Sequence, residues 1–287
     1  MRRRKFGWGR DRDAISGAVT AVMLLLIISS VISIVMVVFV PAWGESDESQ
    51  HMRRTLEQFY ALRENIDAQV LRDSPVSTSS KITLGNAPSA LLGFSRSTGR
   101  IVSNPFNGSL SVHNQTDPAD IFALSRGNLT YTSQNYYIDQ QSYIYEQGAI
   151  LVAGPRDAAV RAPPHFGVSK DDGGNLSVSM LFVSIAGDFS SFTGTENAII
   201  ETRLVVRDAN IYEGGEWTLG RNIRLNLTTP YPGAWARYFN STLTTPLTNL
   251  TWQTQYNLTV GAGFVALDLM KVRRLDLGVA VVEVRIK

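Results

Sequence analysis

Residues 14–40 contain no charged side chain in 27 consecutive positions, and no other feature of the chain restricts its folding as strongly. At 1.5 Å per residue such a run forms a helix of roughly 40 Å, longer than the roughly 30 Å of hydrocarbon in a bilayer. A segment this apolar must be buried in lipid or against other helices, because water gives its side chains no compensation.

The residues before it set an expected direction. "MRRRKFGWGRDRD" carries Arg2, Arg3, Arg4, Lys5, Arg10 and Arg12 against Asp11 and Asp13. Positive residues stay on the cytoplasmic side, so the N-terminus is expected inside and the chain beyond residue 40 outside. The same leader accounts for the formal net charge of +2: without its six basic and two acidic residues, 21 Lys+Arg stand against 23 Asp+Glu. The remaining chain has no basic excess, which argues against a nucleic-acid partner. Cysteine is absent, which excludes disulfides, thiolate metal sites and thiol catalysis, and a domain of about 200 residues can bury its core without such staples.

A cleavable secretory signal has an apolar stretch of about 7–15 residues, roughly half the run found here. The length fits an anchor that is retained. After Pro41, Trp43 and Gly44, residues 45–73 form a second helical pattern, with Met52, Leu56, Phe59, Ile66 and Val70 on an a/d-like seam and Arg63 at its one polar position. Pro75 supplies the stop. This second helix is expected either to project as an amphipathic stalk, with a kink near Pro41, or to pack on its own exterior domain.

The stretch "DRDAISGAVTAVMLLLIISSVISI" resembles the N-terminus of archaeal type IV (class III) pilins, in which a short basic leader precedes a small-residue start and a long apolar helix. Ala14, Ile15 and Ser16 match that start, and Gly17 stands where proline is usual. The resemblance covers about 25 residues. It implies cleavage by a prepilin peptidase between Asp13 and Ala14, on the cytoplasmic side, so that the apolar helix becomes the mature N-terminus. It also implies other pilin subunits as partners through that helix. Gly17 with Ala21, and Ser29 with Ser33, are spaced i, i+4 and would let neighbouring helices approach closely.

From residue 74 onward the pattern is short β-prone segments between Gly, Pro, Asn and Asp: "KITLG", "GRIVS", "GSLSVHN", "NLTYTS", "NYYIDQQSYIY", "NLSVSMLFVSIAG", "AIIETRLVVRDANIY" and the run from "NLTVGAGFVALDLM" to the end. In the seventh, Ile200, Thr202, Leu204 and Val206 alternate with Glu201, Arg203 and Arg207, predicting one dry and one wet face. "YPGAWARYFNSTL" predicts a short helix with Trp235, Phe239 and Leu243 on the sheet. The fold class expected is α+β: a long N-terminal transmembrane or filament-core helix over 14–43, a helical stalk over 45–73, and a mainly antiparallel, sandwich-like exterior domain over 74–287. "RAPPHFGVSKDDGGN", residues 161–175, is the expected boundary between β layers or subdomains.

Asn-X-Ser/Thr sequons occur at Asn107, Asn114, Asn128, Asn175, Asn226, Asn240, Asn249 and Asn257, eight of the fifteen asparagines. The composition would give roughly 2.5 by chance, so the excess marks these as candidate glycosylation sites on the side expected outside. Chemistry is harder to find. His51, His113 and His165 lie far apart, no nucleotide, zinc or hydrolase motif occurs, and Asp171 with Asp172 before Gly173 and Gly174, like Asp117 with Asp120, reads as a turn. Tyr131, Tyr136, Tyr137, Tyr143 and Tyr145 read first as strand packing and second as a sugar-binding patch.

These features predict no enzyme and no cofactor, but a cell-surface protein anchored in membrane lipid. One form is a pilin-like structural or adhesive subunit, with surface glycans among its targets; the other is an uncleaved single-pass anchor carrying a ligand- or carbohydrate-binding domain.

Overall fold

A computed structural model describes residues 9–86, 97–115, 117–213 and 220–287. The chain forms two compact units, the first ending at Asp47 and the second spanning Glu48–Lys287.

In the first unit, α1 (Gly9–Ile34) runs into a single π turn (Val35–Phe39), after which α2 (Val40–Leu71) begins; its residues from Glu48 onward belong to the second unit. Residues 18–40 contain no glycine or proline, so nothing interrupts the i→i−4 ladder. Pro41 does threaten it, because proline has no N–H and its ring crowds the carbonyl four residues back. The chain answers one turn earlier: the Val40 N–H reaches Val35 O, and the widened turn lets the helix pass the proline. Residues 1–8 of the basic leader lie outside the described residues. Asp13 and Ala14 fall within α1, so the backbone of the expected cleavage point is helical.

The second unit begins earlier than the sequence pattern suggests. Met52, Thr55, Phe59, Leu62, Ile66 and Val70 of α2 are all buried, and all but Thr55 share one hydrophobic core with the strands. Residues 48–71 are therefore part of the β domain rather than a projecting stalk. The seam also runs differently from the one read in the sequence. Leu62, not Arg63, continues it, giving steps of 3, 4, 3 and 4 from Met52 to Ile66, while Leu56 is only partly buried. Arg63 lies beside the seam and donates to Gly148 O (2.8 Å) and Pro163 O (2.7 Å). The helix ends as Asp73 takes a left-handed conformation (φ 50°) and the Ser74 N–H closes on Gln69 O, two residues after Leu71 and just before Pro75.

Thirteen strands follow among the described residues. They are β1 (Thr78–Thr83), β2 (Thr98–Asn114), β3 (Asp117–Gln134), β4 (Ser142–Glu146), β5 (Ala149–Ala153), β6 (Ala158–Ala162), β7 (His165–Lys170), β8 (Leu176–Ala186), β9 (Ser190–Gly194), β10 (Asn197–Glu213), β11 (Arg221–Thr228), β12 (Tyr256–Gly261) and β13 (Phe264–Ile286), with α3 (Pro232–Leu243) between β11 and β12. The main path is β1-β10-β13-β11-β2-β3-β4-β5-β6, with β12 and β8 also on β13, β7 on β8 and β9 on β2. Pairing is antiparallel throughout except where β8 runs parallel to β13. The whole is an α+β fold.

β13 organises this arrangement. Its first half lies between β11 and β12, and its second half between β10 and β8. It feeds two hydrophobic cores in turn: Val265–Val279 side chains enter a core closed by Trp235, Phe239 and Leu243 of α3, whereas Ala280, Val282 and Val284 enter the core closed by α2. The β4–β5 hairpin sits between the two. Tyr143, Tyr145 and Ile150 face the α2 core, and Ile144, Ala149 and Leu151 face the α3 core, so the segment is buried on both sides and shows no polar alternation. Its two-residue turn has positive φ at both Gln147 (53°) and Gly148 (77°), the type I′ geometry that matches strand twist.

Three expectations need correction. "NYYIDQQSYIY" is a strand only from Ser142, since residues 135–141 form a loop. Val206 is exposed, because a register shift between Leu204 and Val206 moves it to the wet face. Residues 161–175 do not separate two domains: they carry the chain from the end of the sheet path at β6 to the β7–β8 hairpin within one compact unit.

Candidate functional site

Between Gly17 and Phe39 the side chains are exposed, apart from the partly buried Val35, and the segment is long and apolar enough to cross a membrane. Leucine, isoleucine and valine on every side of a helix leave no polar face to meet water. This is the one extended apolar surface that the chain itself does not cover among the described residues. Gly17 and Ala21, Ser29 and Ser33 all lie on it, and a Cβ added at Gly17 would meet nothing. The two small-residue pairs do not share a face: twelve residues separate Gly17 from Ser29, which places them roughly 120° apart around a straight helix. The Ser30 hydroxyl is satisfied by donating to Leu26 O (2.8 Å). Phe39 and Trp43 close the run with ring centroids 5.7 Å apart, the aromatic type that favours a membrane boundary.

The start of the β domain is fastened by a buried carboxylate. Glu48, fully buried, accepts the backbone N–H groups of Tyr136, Tyr137 and Ile138 at 2.8, 2.8 and 3.0 Å. Three charge-assisted bonds compensate its loss of water and fix the 135–141 loop against the helix. About one and three turns further along, at Met52 and Phe59, the helix meets an aromatic cluster. Tyr143 donates to Met52 O (2.9 Å), Tyr131 donates to Leu84 O (2.8 Å), and Phe59 lies against both rings. Burial pushes the Tyr143 hydroxyl up to about 12 and also raises those of Tyr131 and Tyr145. Of the five tyrosines noted in the sequence, Tyr131, Tyr143 and Tyr145 are thus core residues, and only the loop pair Tyr136 and Tyr137 stands outside it.

The histidines occupy three separate environments. His51 is buried against Leu84 O and the Tyr131 hydroxyl, His113 contacts Ser111 Oγ, and His165 lies 3.0 Å from Asp67 Oδ1. Among the described residues no three His, Asp or Glu side chains converge as a metal site would require. Asp171 forms the turn read in the sequence, its carboxylate accepting the Asn175 N–H (2.8 Å) and side-chain amide (2.9 Å), which hold it below the usual carboxylate range.

The structure separates the eight sequons. Asn240 and Asn249 are exposed, and Asn107, Asn175, Asn226 and Asn257 are partly buried. Asn114 and Asn128 are 5% and 3% exposed within β2 and β3, so the folded domain leaves no room for a glycan at either and both are withdrawn as candidates. Sequence patterns place sequons, but not which face of a strand they occupy.

The molecule is thus a β domain joined to an uncovered helix of membrane-spanning length. The chain belongs to a family of unknown function, DUF7289, whose model matches residues 13–287 and so takes in both the apolar helix and the β domain. No curated protein and no solved structure matches it.

Proposed function

We propose that the protein is a pilin-like cell-surface subunit: its leader is removed between Asp13 and Ala14 by a prepilin peptidase, its apolar helix lies in the membrane or in the core of a filament, and its β domain is displayed outside. One observation carries this reading. The apolar surface from Gly17 to Phe39 is uncovered by the chain's own described residues, so lipid or the same helix of other copies must cover it. The basic leader before it and the sequons after it support the cytoplasmic and exterior placements.

The reading is tested by the N-terminal residue of the membrane-associated protein from its native host, determined by mass spectrometry. A start at Ala14 is expected; an intact leader overturns the pilin reading.

A second reading has its own observation. An open groove of about 420 Å³ beside β7 and β8 is lined by His165, Phe166, Arg207 and Asp276, a mixture of ring and charged groups that suits a polar ligand such as a saccharide. With an intact leader, the protein is a permanent anchor for that groove.

A further inference from the structure

Three of the sequons fall within eighteen residues, Asn240, Asn249 and Asn257, on the segment that runs from α3 through the following loop into β12. We infer that this lobe is the glycosylated face of the domain, carrying N-linked glycans at these three asparagines; the inference rests on the exterior placement proposed above.

The local chemistry prepares each amide. Asn240 is an exposed residue of α3 that flanks the buried face of Trp235, Phe239 and Leu243, and its Oδ1 accepts the Tyr256 hydroxyl at 2.7 Å. That bond engages the amide oxygen, whereas a glycan is carried by Nδ2. Asn249 is presented by a rigid loop. The Thr248 hydroxyl reaches Leu243 O (2.9 Å), Lys170 donates to Asn249 O (3.1 Å), and Asn249 has a positive φ of 41°, a conformation asparagine adopts more readily than most residues. Asn257 is on β12 and partly exposed, and among the described strands β12 pairs with β13. Thr251 and Thr259, the third residues of the last two sequons, are both exposed.

A second observation falls at the same place. Leu247 is 96% exposed and Trp252 is 45% exposed, two residues before and three after Asn249. Both side chains lie within three residues of Asn249, where a glycan would shield them from solvent. Asn114 and Asn128 supply the internal contrast, having the same tripeptide pattern inside the sheet.

Glycopeptide mass spectrometry on protein from native-host membranes tests this directly. Glycans at Asn240, Asn249 and Asn257, with unmodified Asn114 and Asn128, is the result expected, and Asn249→Gln then removes one glycan mass from the intact protein. Glycans confined to the other sequons overturn the assignment. A protein with no glycan also overturns it, and thiol labelling of a Ser46→Cys variant in intact cells then separates the causes: a labelled thiol leaves the exterior placement standing, whereas an unlabelled one removes that as well.

Discussion

The two halves of the helical segment, residues 17–40 and 48–71, are both helical, the first interrupted by one π turn, and have opposite fates. The first is apolar on every face and contributes nothing to the core of its own chain, whereas the second concentrates its apolar residues on one seam and closes a core with them. Helix propensity does not distinguish the halves; the distribution of polarity around the axis does. The charged residues that begin at Glu45, Asp47 and Glu48 and recur along the second half turn a segment that requires another medium into one that a sheet can cover.

The largest effect is expected from shortening the seam. Phe59→Ala, at a fully buried position touching Tyr131 and Tyr143, should cost about 3–5 kcal/mol and lower the melting temperature of the β domain steeply, as followed by near-UV circular dichroism of the detergent-solubilised chain. A matched truncation at Leu25 should leave that transition unchanged, and a shift equal to that of Phe59→Ala would erase the contrast between the halves.

Charge should invert the pattern. Leu25→Lys or Ile28→Lys is expected to cost about 3 kcal/mol at the centre of a bilayer and to release the protein from the membrane fraction and from any filament, with the domain still folded. Normal assembly from either variant would remove the pilin reading.

Alkaline stability is a smaller test of the second half alone. Tyr143 is neutral when protonated and its hydroxyl is raised to about 12 by burial, so the folded state holds its proton while the unfolded state begins to lose it near pH 10. Stability should therefore fall as pH rises from about 10 to 12, by on the order of 2 kcal/mol for this group, as measured by urea unfolding. The contribution is complete below pH 10. Tyr143→Phe should remove this group's share of that dependence, leaving the part due to Tyr131 and Tyr145, while losing about 1 kcal/mol at neutral pH with its bond to Met52 O.

The smallest effect should come from the buried hairpin turn. Gly148→Ala places a side chain at φ 77° and is expected to cost about 1–2 kcal/mol, again visible only in the β domain.

Much of this contrast was legible in the sequence, because charge absence and helical period are one-dimensional signals. The uncharged run, Trp235, Phe239 and Leu243 on α3, and the strand character of β8 and β10 all follow from spacing. The choice of Arg63 over Leu62 as the seam residue could not be made from spacing alone, since both lie at a step of three or four from Phe59. What decides is Gly148 O and Pro163 O, distant in sequence, which receive the guanidinium beside the seam. Tyr143 and Ile144 were similarly opaque: a strand buried on both faces loses its alternation, and only the two cores around β4 reveal why. For the candidate site, the sequons were readable as tripeptides, but the burial of Asn114 and Asn128 depends on β2 and β3 being placed inside a sheet.

Because the natural chain has no cysteine, single thiols report position without background. The most direct test of the central claim compares Ile28→Cys with Ser46→Cys in intact cells treated with a membrane-impermeant maleimide. The account predicts labelling at residue 46 and none at residue 28 until detergent is added. Labelling of residue 28 in intact cells would contradict it.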